Sequence, residues 1–202
     1  DFIARYKRLE GYDVKFVTGT DEHGQKIQKS ADKKKLSPDV FCNEISKVFL
    51  NLTKTLNLSN TDFIRTTEVR HHKTVQKLWK ILEEKKFIYL SKYSGWYSVS
   101  DEAFYTESEI IEKNKIKLCE ATGSAVEWVE EESYFFKLSE FQNLLIKHYE
   151  DNPEFIQPSS RKNEVMSFVK SGLNDLSISR NSFKWGISVP NSKNHIVYVW
   201  LD

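Results

Sequence analysis

Along residues 1–12 the apolar side chains Phe2, Ile3, Tyr6 and Leu9 recur at the spacing of one helix face, and Gly11 supplies a stop. An apolar, β-branched run at 14–18 predicts a strand, and the polar segment from about Glu22 to Lys35 predicts a helix. Ser37-Pro38 restarts the chain into a longer helix, with proline in the favoured first turn and Val40, Phe41, Ile45, Val48, Phe49 and Leu52 as its buried stripe. The run FIRT at 63–66 reads as a second strand. Thr67 is the candidate cap of a further helix with the stripe Val75, Leu78, Trp79 and Leu82. This alternation of helices and strands is the rhythm of a parallel sheet with covering helices.

The rhythm changes near Phe87. Residues 87–138 hold the short aromatic-rich runs FIYLSKY, GWYSVS, AVEWVEE and SYFFKLS, which read as antiparallel strands around Gly95 and Gly123, with an acidic helical turn near Thr106 to Glu112. Helical patterns return at 139–150 and 161–171, punctuated by Pro153 and Pro158. The last run, 196–201, is continuously apolar and resembles a buried parallel strand. The expected fold class is α/β. Residues 1–86 begin a parallel sheet, 87–175 form an inserted subdomain, and 176–202 return to the first layer. Lys33-Lys34-Lys35 reads as the solvated end of a helix.

Composition narrows the class. With 39% apolar and 13% aromatic residues among 202, the chain has material for a sizeable core, and its formal net charge of +1 gives no global attraction for nucleic acid. Cys42 and Cys119 form no CxxC pair and no disulfide framework, which fits a reducing compartment. No apolar run reaches the roughly 18 residues of a membrane span, so no membrane partner is expected and the cytoplasm, or an organelle matrix, is the expected location. The opening helix pattern and the closing strand pattern together suggest an internal piece of a longer chain.

Candidate chemistry concentrates in VKFVTGTDEHGQKIQ, residues 14–28. Three readings of its two carboxylates and imidazole stand open. Asp21 or Thr20 caps the next helix while Glu22 complements its dipole. Alternatively, Asp21 and His23 begin a metal site, although His71-His72 lies on a helix and the other histidines look isolated. In the third reading, Asp21 sits at the carboxyl end of a parallel strand, where ligands collect, and receives an ammonium group. There is no P-loop and no GxGxxG.

The stretch ARYKRLEGYDVKFVTGTDEHGQKIQ resembles the methionyl-tRNA synthetase family of class I aminoacyl-tRNA synthetases. So do GWYSVSDEAFYTE, EWVEEESYFFKLS, NEVMSFVKSGLNDLSISR, FKWGISVP and VYVWLD, in the family's order. The resemblance implies a Rossmann-like catalytic domain interrupted by a connective peptide. It implies activation of methionine with ATP, taken as its Mg2+ complex, to methionyl-adenylate, and transfer to the 3′ end of tRNA(Met). It assigns Asp21 to the methionine ammonium and Trp200 to the wall of the side-chain pocket, where a thioether gains from an aromatic neighbour. Arg180 falls near the ATP phosphates and the reacting carboxylate, a place suited to a permanently charged fork. By pattern alone Trp200 reads as core and Arg180 as a helix-end or surface ion pair.

Two departures follow. The family's HIGH-type and KMSKS-type motifs are absent from these 202 residues, so this piece alone is expected to be inactive. Many relatives also carry a zinc knuckle, but its positions here hold Ser98, Asp101, Cys119 and Thr122, a poor donor set for structural zinc. No zinc is expected, and Trp96, Tyr97, Phe104, Trp128, Tyr134 and Phe135 are expected to form the insertion's core instead. Two alternatives remain beside the leading reading. One is a sister class I synthetase for cysteine, leucine, isoleucine or valine; the other is a non-catalytic module that binds tRNA or a protein.

Overall fold

The computed structural model describes residues 1–101, 103–113 and 116–202. Two parallel strands, β1 (Val17–Thr20) and β2 (Asp62–Arg65), pair in register from Val17 against Asp62 to Thr20 against Arg65. Helix α1 (Phe2–Leu9) precedes them, α2 (Gln25–Lys33) and α3 (Pro38–Thr55) connect them, and α4 (Val69–Glu84) follows. The approach of β1 to β2 requires glycine at position 19, where a Cβ would lie 1.8 Å from the Ile64 carbonyl oxygen. β1 starts later than its apolar pattern predicts. The Phe16 amide donates to the Thr61 hydroxyl rather than to a backbone carbonyl, so the regular ladder begins only beyond it.

Several local expectations change in the structure. α2 begins at Gln25 rather than Glu22, because Gly24, with φ +103°, turns the chain at the cap position. On α3, Phe41 is buried against Ala31 and Cys42, with Ile27, Leu36 and Trp185 beside them. Val40, Ile45, Val48, Phe49 and Leu52, expected in the same buried stripe, are exposed. Thr67 is no cap: Glu68 holds that position with no side-chain bond, and the Thr67 hydroxyl turns to Glu22. On α4, Val75 and Trp79 are buried as expected, whereas Leu78 is exposed.

Strand β3 (Ile88–Ser98) pairs antiparallel with β7 (Glu127–Phe136) from Ile88 against Phe136 to Tyr97 against Glu127. Gly95 lies within this ladder opposite Val129 instead of breaking it. β4 (Ala103–Tyr105) borders β3, and β8 (Leu176–Ser177) borders β7, giving the sheet order β4-β3-β7-β8. A separate antiparallel pair, β5 (Ile110–Lys113) and β6 (Ile116–Cys119), follows a 3-10 turn closed by the Thr106–Glu109 capping box. Helices α5 (Gln142–Asp151) and α6 (Ser159–Lys170) complete the insertion. Its aromatic core is smaller than expected. Tyr97 and Phe135 are buried, while Trp128 is exposed and stacks edge-on against Trp96.

The final apolar run does not form a parallel strand. β9 (Ser179–Arg180) and β10 (Ile196–Val197) pair antiparallel, and the chain then turns, with the amides of Leu201 and Asp202 both donating to the Tyr198 carbonyl at 2.9 and 3.3 Å. The Tyr198 amide donates to the Ile178 carbonyl at 2.9 Å, one more pair in the register of β9 and β10, and the pairing stops beyond it. The main core joins α4 to the four-stranded sheet and the β9–β10 pair. Val75 and the fully buried Trp79 of α4 pack with Ile178, Ile187, Val189 and Val197, and Trp79 meets Tyr134 of β7 edge-on at 5.3 Å.

Candidate functional site

Because β1 and β2 run parallel and in register, their carboxyl ends, Thr20 and Arg65, lie side by side. Glu22, 3% exposed, fills the space just beyond them. Arg65 donates to both of its carboxylate oxygens at 2.8 Å, and the hydroxyls of Thr20 and Thr67 each donate at 2.6 Å. Burial alone would raise the Glu22 pKa, but the bonds from Arg65, Thr20 and Thr67 outweigh it and hold the carboxyl below its ordinary value. The reading of Glu22 as a helix-dipole charge is therefore overturned: it is a buried clamp between the two strand ends. Asp21 and Thr20 do not cap α2 either, since Gly24 occupies that place without a side-chain bond. Asp21 stays exposed and, among the described residues, accepts only a 3.4 Å bond from the His23 amide.

A second tie closes over the same turn. His23 Nδ1 lies 2.6 Å and His71 Nε2 2.8 Å from the two oxygens of Asp202. A carboxylate only accepts, so those two nitrogens carry the protons. His72 packs against His23 at 5.4 Å; burial first, and the nearby His23 second, push its pKa down. Trp185 donates from Nε1 to the Glu22 carbonyl at 2.6 Å and sets its edge on His23. His23, which looks isolated in sequence, thus meets the His71-His72 pair of α4 at one place. Among the described residues no group of three or more His, Cys, Asp or Glu side chains is arranged to hold a metal ion.

Asp21, His23, Tyr97, Phe183, Tyr198 and Asp202 line one recess. Phe104, Ser177, Arg180, Tyr198 and Trp200 line its neighbour. Tyr198 forms part of both walls, so Asp21 and Trp200 stand on adjoining recesses rather than in a single one. Trp200 is 60% exposed, which overturns its reading as plain core. Arg180, 2% exposed, is no surface ion pair. Its guanidinium lies 3.7 Å from the Tyr198 ring centroid and 4.8 Å from that of Phe104, and Nε is 3.4 Å from the buried Glu131 carboxylate. Nη1 donates to Ser177 Oγ at 2.7 Å and to the Ser179 carbonyl at 2.8 Å. Ser177 is in turn 2.6 Å from Ser133 of β7, so the Arg180 segment is bonded directly into the insertion's sheet.

The knuckle positions hold a hydrogen-bonded cluster. Asp101 accepts from Tyr105 at 2.8 Å and from Thr122 and Ser124 at 2.7 Å each, and its own amide donates to Ser98 Oγ at 3.2 Å. The bonds from Ser124 and Thr122 hold the Asp101 carboxyl below its usual range. Hydroxyls thus occupy the lone pairs a cation would need, and a single thiol, Cys119, stands among them. These residues do not fit structural zinc.

Glu22, Arg65, Thr67, His71, Tyr198 and Asp202 fix the recess; sequence reasoning gave Glu22 and Thr67 other roles, set His71 aside on its helix, and did not single out Arg65, Tyr198 or Asp202. One signal was present in the chain. If FIRT is a parallel partner of the first strand, its last residues emerge beside Thr20, which places Arg65 opposite the TDEHG carboxylates.

The family described as class I tRNA synthetases (M) matches residues 1–202. The chain is 54% identical over 202 residues to the methionine–tRNA ligase of Rhizobium meliloti, and 55% to that of Rickettsia prowazekii. It covers 39% of each relative's length while matching over its own whole length. Among solved structures, Mycobacterium tuberculosis methionyl-tRNA synthetase bound by methionyl-adenylate superposes with a TM-score of 0.94 at 48% identity, over 98% of this chain and 39% of that one. The apo form of the same enzyme gives 0.79 at 46% identity, with 98% and 38% covered.

Proposed function

The chain belongs to the class I tRNA synthetases of the methionine group, and from that membership we propose that it is part of a methionine–tRNA ligase. The parent activates methionine with ATP, as the Mg2+ complex, and transfers the methionyl group to the 3′ end of tRNA(Met). Residues 1–86 and 176–202 contribute to the catalytic domain, with 87–175 as the connective peptide, and the cytoplasm is the proposed location. The insertion is held by its sheet and the Asp101 cluster without zinc.

Asp21 receives the α-ammonium of methionine. It is the one exposed carboxylate on a turn whose other polar side chains, Glu22 and His23, are bound internally. Trp200 covers the thioether side chain, and Tyr198 stands between the two. Arg180 acts on the reacting carboxylate and the α-phosphate from its place in the Trp200 recess. Attack of a carboxylate on the α-phosphorus asks mainly for alignment and charge stabilisation, so no general base is required here. The observation that carries this reading is the Asp202 tie, which brings the Asp21 turn and the Tyr198–Asp202 turn onto adjoining recesses.

The test is ATP–pyrophosphate exchange by the full-length protein against twenty amino acids. Exchange with methionine alone is expected. Asp21→Ala then loses a charge-assisted bond of ~1.5–3 kcal/mol, roughly 10- to 150-fold in kcat/KM for methionine. Exchange with a different amino acid would transfer the protein to a sister synthetase, and silence across the panel would favour a non-catalytic binding module.

A further inference from the structure

A third cleft opens between α2 and the insertion, and its chemistry differs from that of the two recesses. One wall carries Lys26, Lys29 and Lys33, and the other Val99, Ser100 and Glu127. The lysine spacing of three and then four residues places all three ammonium groups on a single face of α2. Among the described residues, the lysines that form ion pairs are Lys7, Lys117, Lys137, Lys147 and Lys170, and none of Lys26, Lys29 and Lys33 is among them. Glu127 is the acidic group of the cleft, and Asp32 the acid on α2 itself. Tyr97 lines both this cleft and the Asp21 recess, so the basic wall adjoins the place where methionine is proposed to sit.

We propose that this lysine face binds the phosphodiester backbone of the single-stranded 3′ end of the tRNA, guiding its terminal ribose toward the Asp21 recess. The inference rests on the function proposed above and adds the groups that hold the second substrate. A row of point charges on flexible stems suits a polyanion whose sequence is not being read, since phosphate contacts position a strand without specifying its bases. The near-neutral whole chain does not oppose this, because steering at short range depends on the local face.

The experiment uses the full-length protein carrying Lys26→Ala, Lys29→Ala and Lys33→Ala together, beside a triple lysine-to-arginine control. Two measurements are made: methionine-dependent ATP–pyrophosphate exchange without tRNA, and direct binding and aminoacylation of tRNA across a salt series. For single-stranded nucleic acid each lost phosphate contact removes about 0.7 from the slope of log K against log salt. The alanine variant is therefore expected to lower that slope by roughly 2 and to raise the KM for tRNA by roughly 10- to 50-fold near physiological salt. Exchange should keep its wild-type KM for ATP, and the arginine control should keep the slope. An unchanged slope in the alanine variant overturns the proposal. So does a raised KM for ATP, which would give the lysines to the triphosphate, or a joint loss of exchange and tRNA binding, which would give them to the fold. Silence of the wild-type protein in exchange instead strikes the proposed function, while the salt series still reads whether these lysines meet RNA.

Discussion

Glu22→Gln is the most informative single change, because it keeps the side chain's size and removes only its charge. In the native protein the carboxylate accepts two bonds from Arg65 and one each from Thr20 and Thr67. The amide offers one acceptor where two stood and points a donor at groups that are themselves donors. Breaking a buried pair in this way costs about 3–5 kcal/mol, and the lower end applies here because Arg65 keeps some contact with water. A loss of ~3 kcal/mol corresponds to roughly 6–12 °C in Tm for a domain of this size. The folded Glu22 pKa is depressed, so its contribution is fully present above the unfolded carboxylate value and disappears as pH falls through the lower folded value. The gap between wild type and variant is therefore widest at neutral pH and closes on acidification. Urea unfolding followed by circular dichroism along a pH series reads both quantities. Pairing Glu22→Gln with Arg65→Gln should cost less than the sum of the two single changes. Equal stabilities at pH 7, or a gap that stays constant as the acid is titrated, would refute the clamp.

Three further outcomes are expected. Asp202→Ala removes the acceptor shared by His23 and His71 and is expected to lower kcat/KM for methionine by roughly 10- to 150-fold, the cost of ~1.5–3 kcal/mol of charged hydrogen bonding; His71→Gln, which keeps a donor, should stay near wild type, and equal losses in both would show that the tie is not what matters. Gly19→Ala pushes a Cβ into the Ile64 carbonyl and should cost about 1–3 kcal/mol in thermal unfolding, with a wild-type Tm arguing that the strands part easily. Elemental analysis of the purified protein should find zinc far below stoichiometry, and Asp101→Ala should lower stability by ~1 kcal/mol for each orphaned hydroxyl that cannot reach water; one zinc per chain would overturn the account of the insertion.

Periodicity found most of the elements because helices and strands are local. α1, α3, α4 and the β1–β2 pair follow from spacing, and β3 and β7 from their aromatic runs. Burial is another matter. Val48, Phe49 and Leu52 repeat on α3 as a core stripe should, yet they are exposed, because spacing states which face is apolar and not what covers it. The candidate site was legible at Asp21 and largely illegible around it. Its supports join residues far apart in the chain, Glu22 to Arg65 and His23 to Asp202, and no window of sequence contains both partners.

The misreading of 196–201 shows how such a support decides a side chain's role. Six apolar residues in a row read equally well as a buried strand or as a short strand followed by an apolar turn. The Tyr198 amide still pairs with the Ile178 carbonyl in the β9–β10 register; what separates the two patterns is the turn after it, where the amides of Leu201 and Asp202 fold back onto the Tyr198 carbonyl. That turn leaves Trp200 exposed beside Arg180 and swings Asp202 under His23 and His71. Had the strand continued, Trp200 and Asp202 would alternate with Val199 and Leu201 across a sheet, and the turn that carries both would not exist. A sequence rule fails here because the chain departs from its simplest pattern beside the candidate site, and the departure puts an exposed tryptophan and a buried carboxylate within three residues of each other.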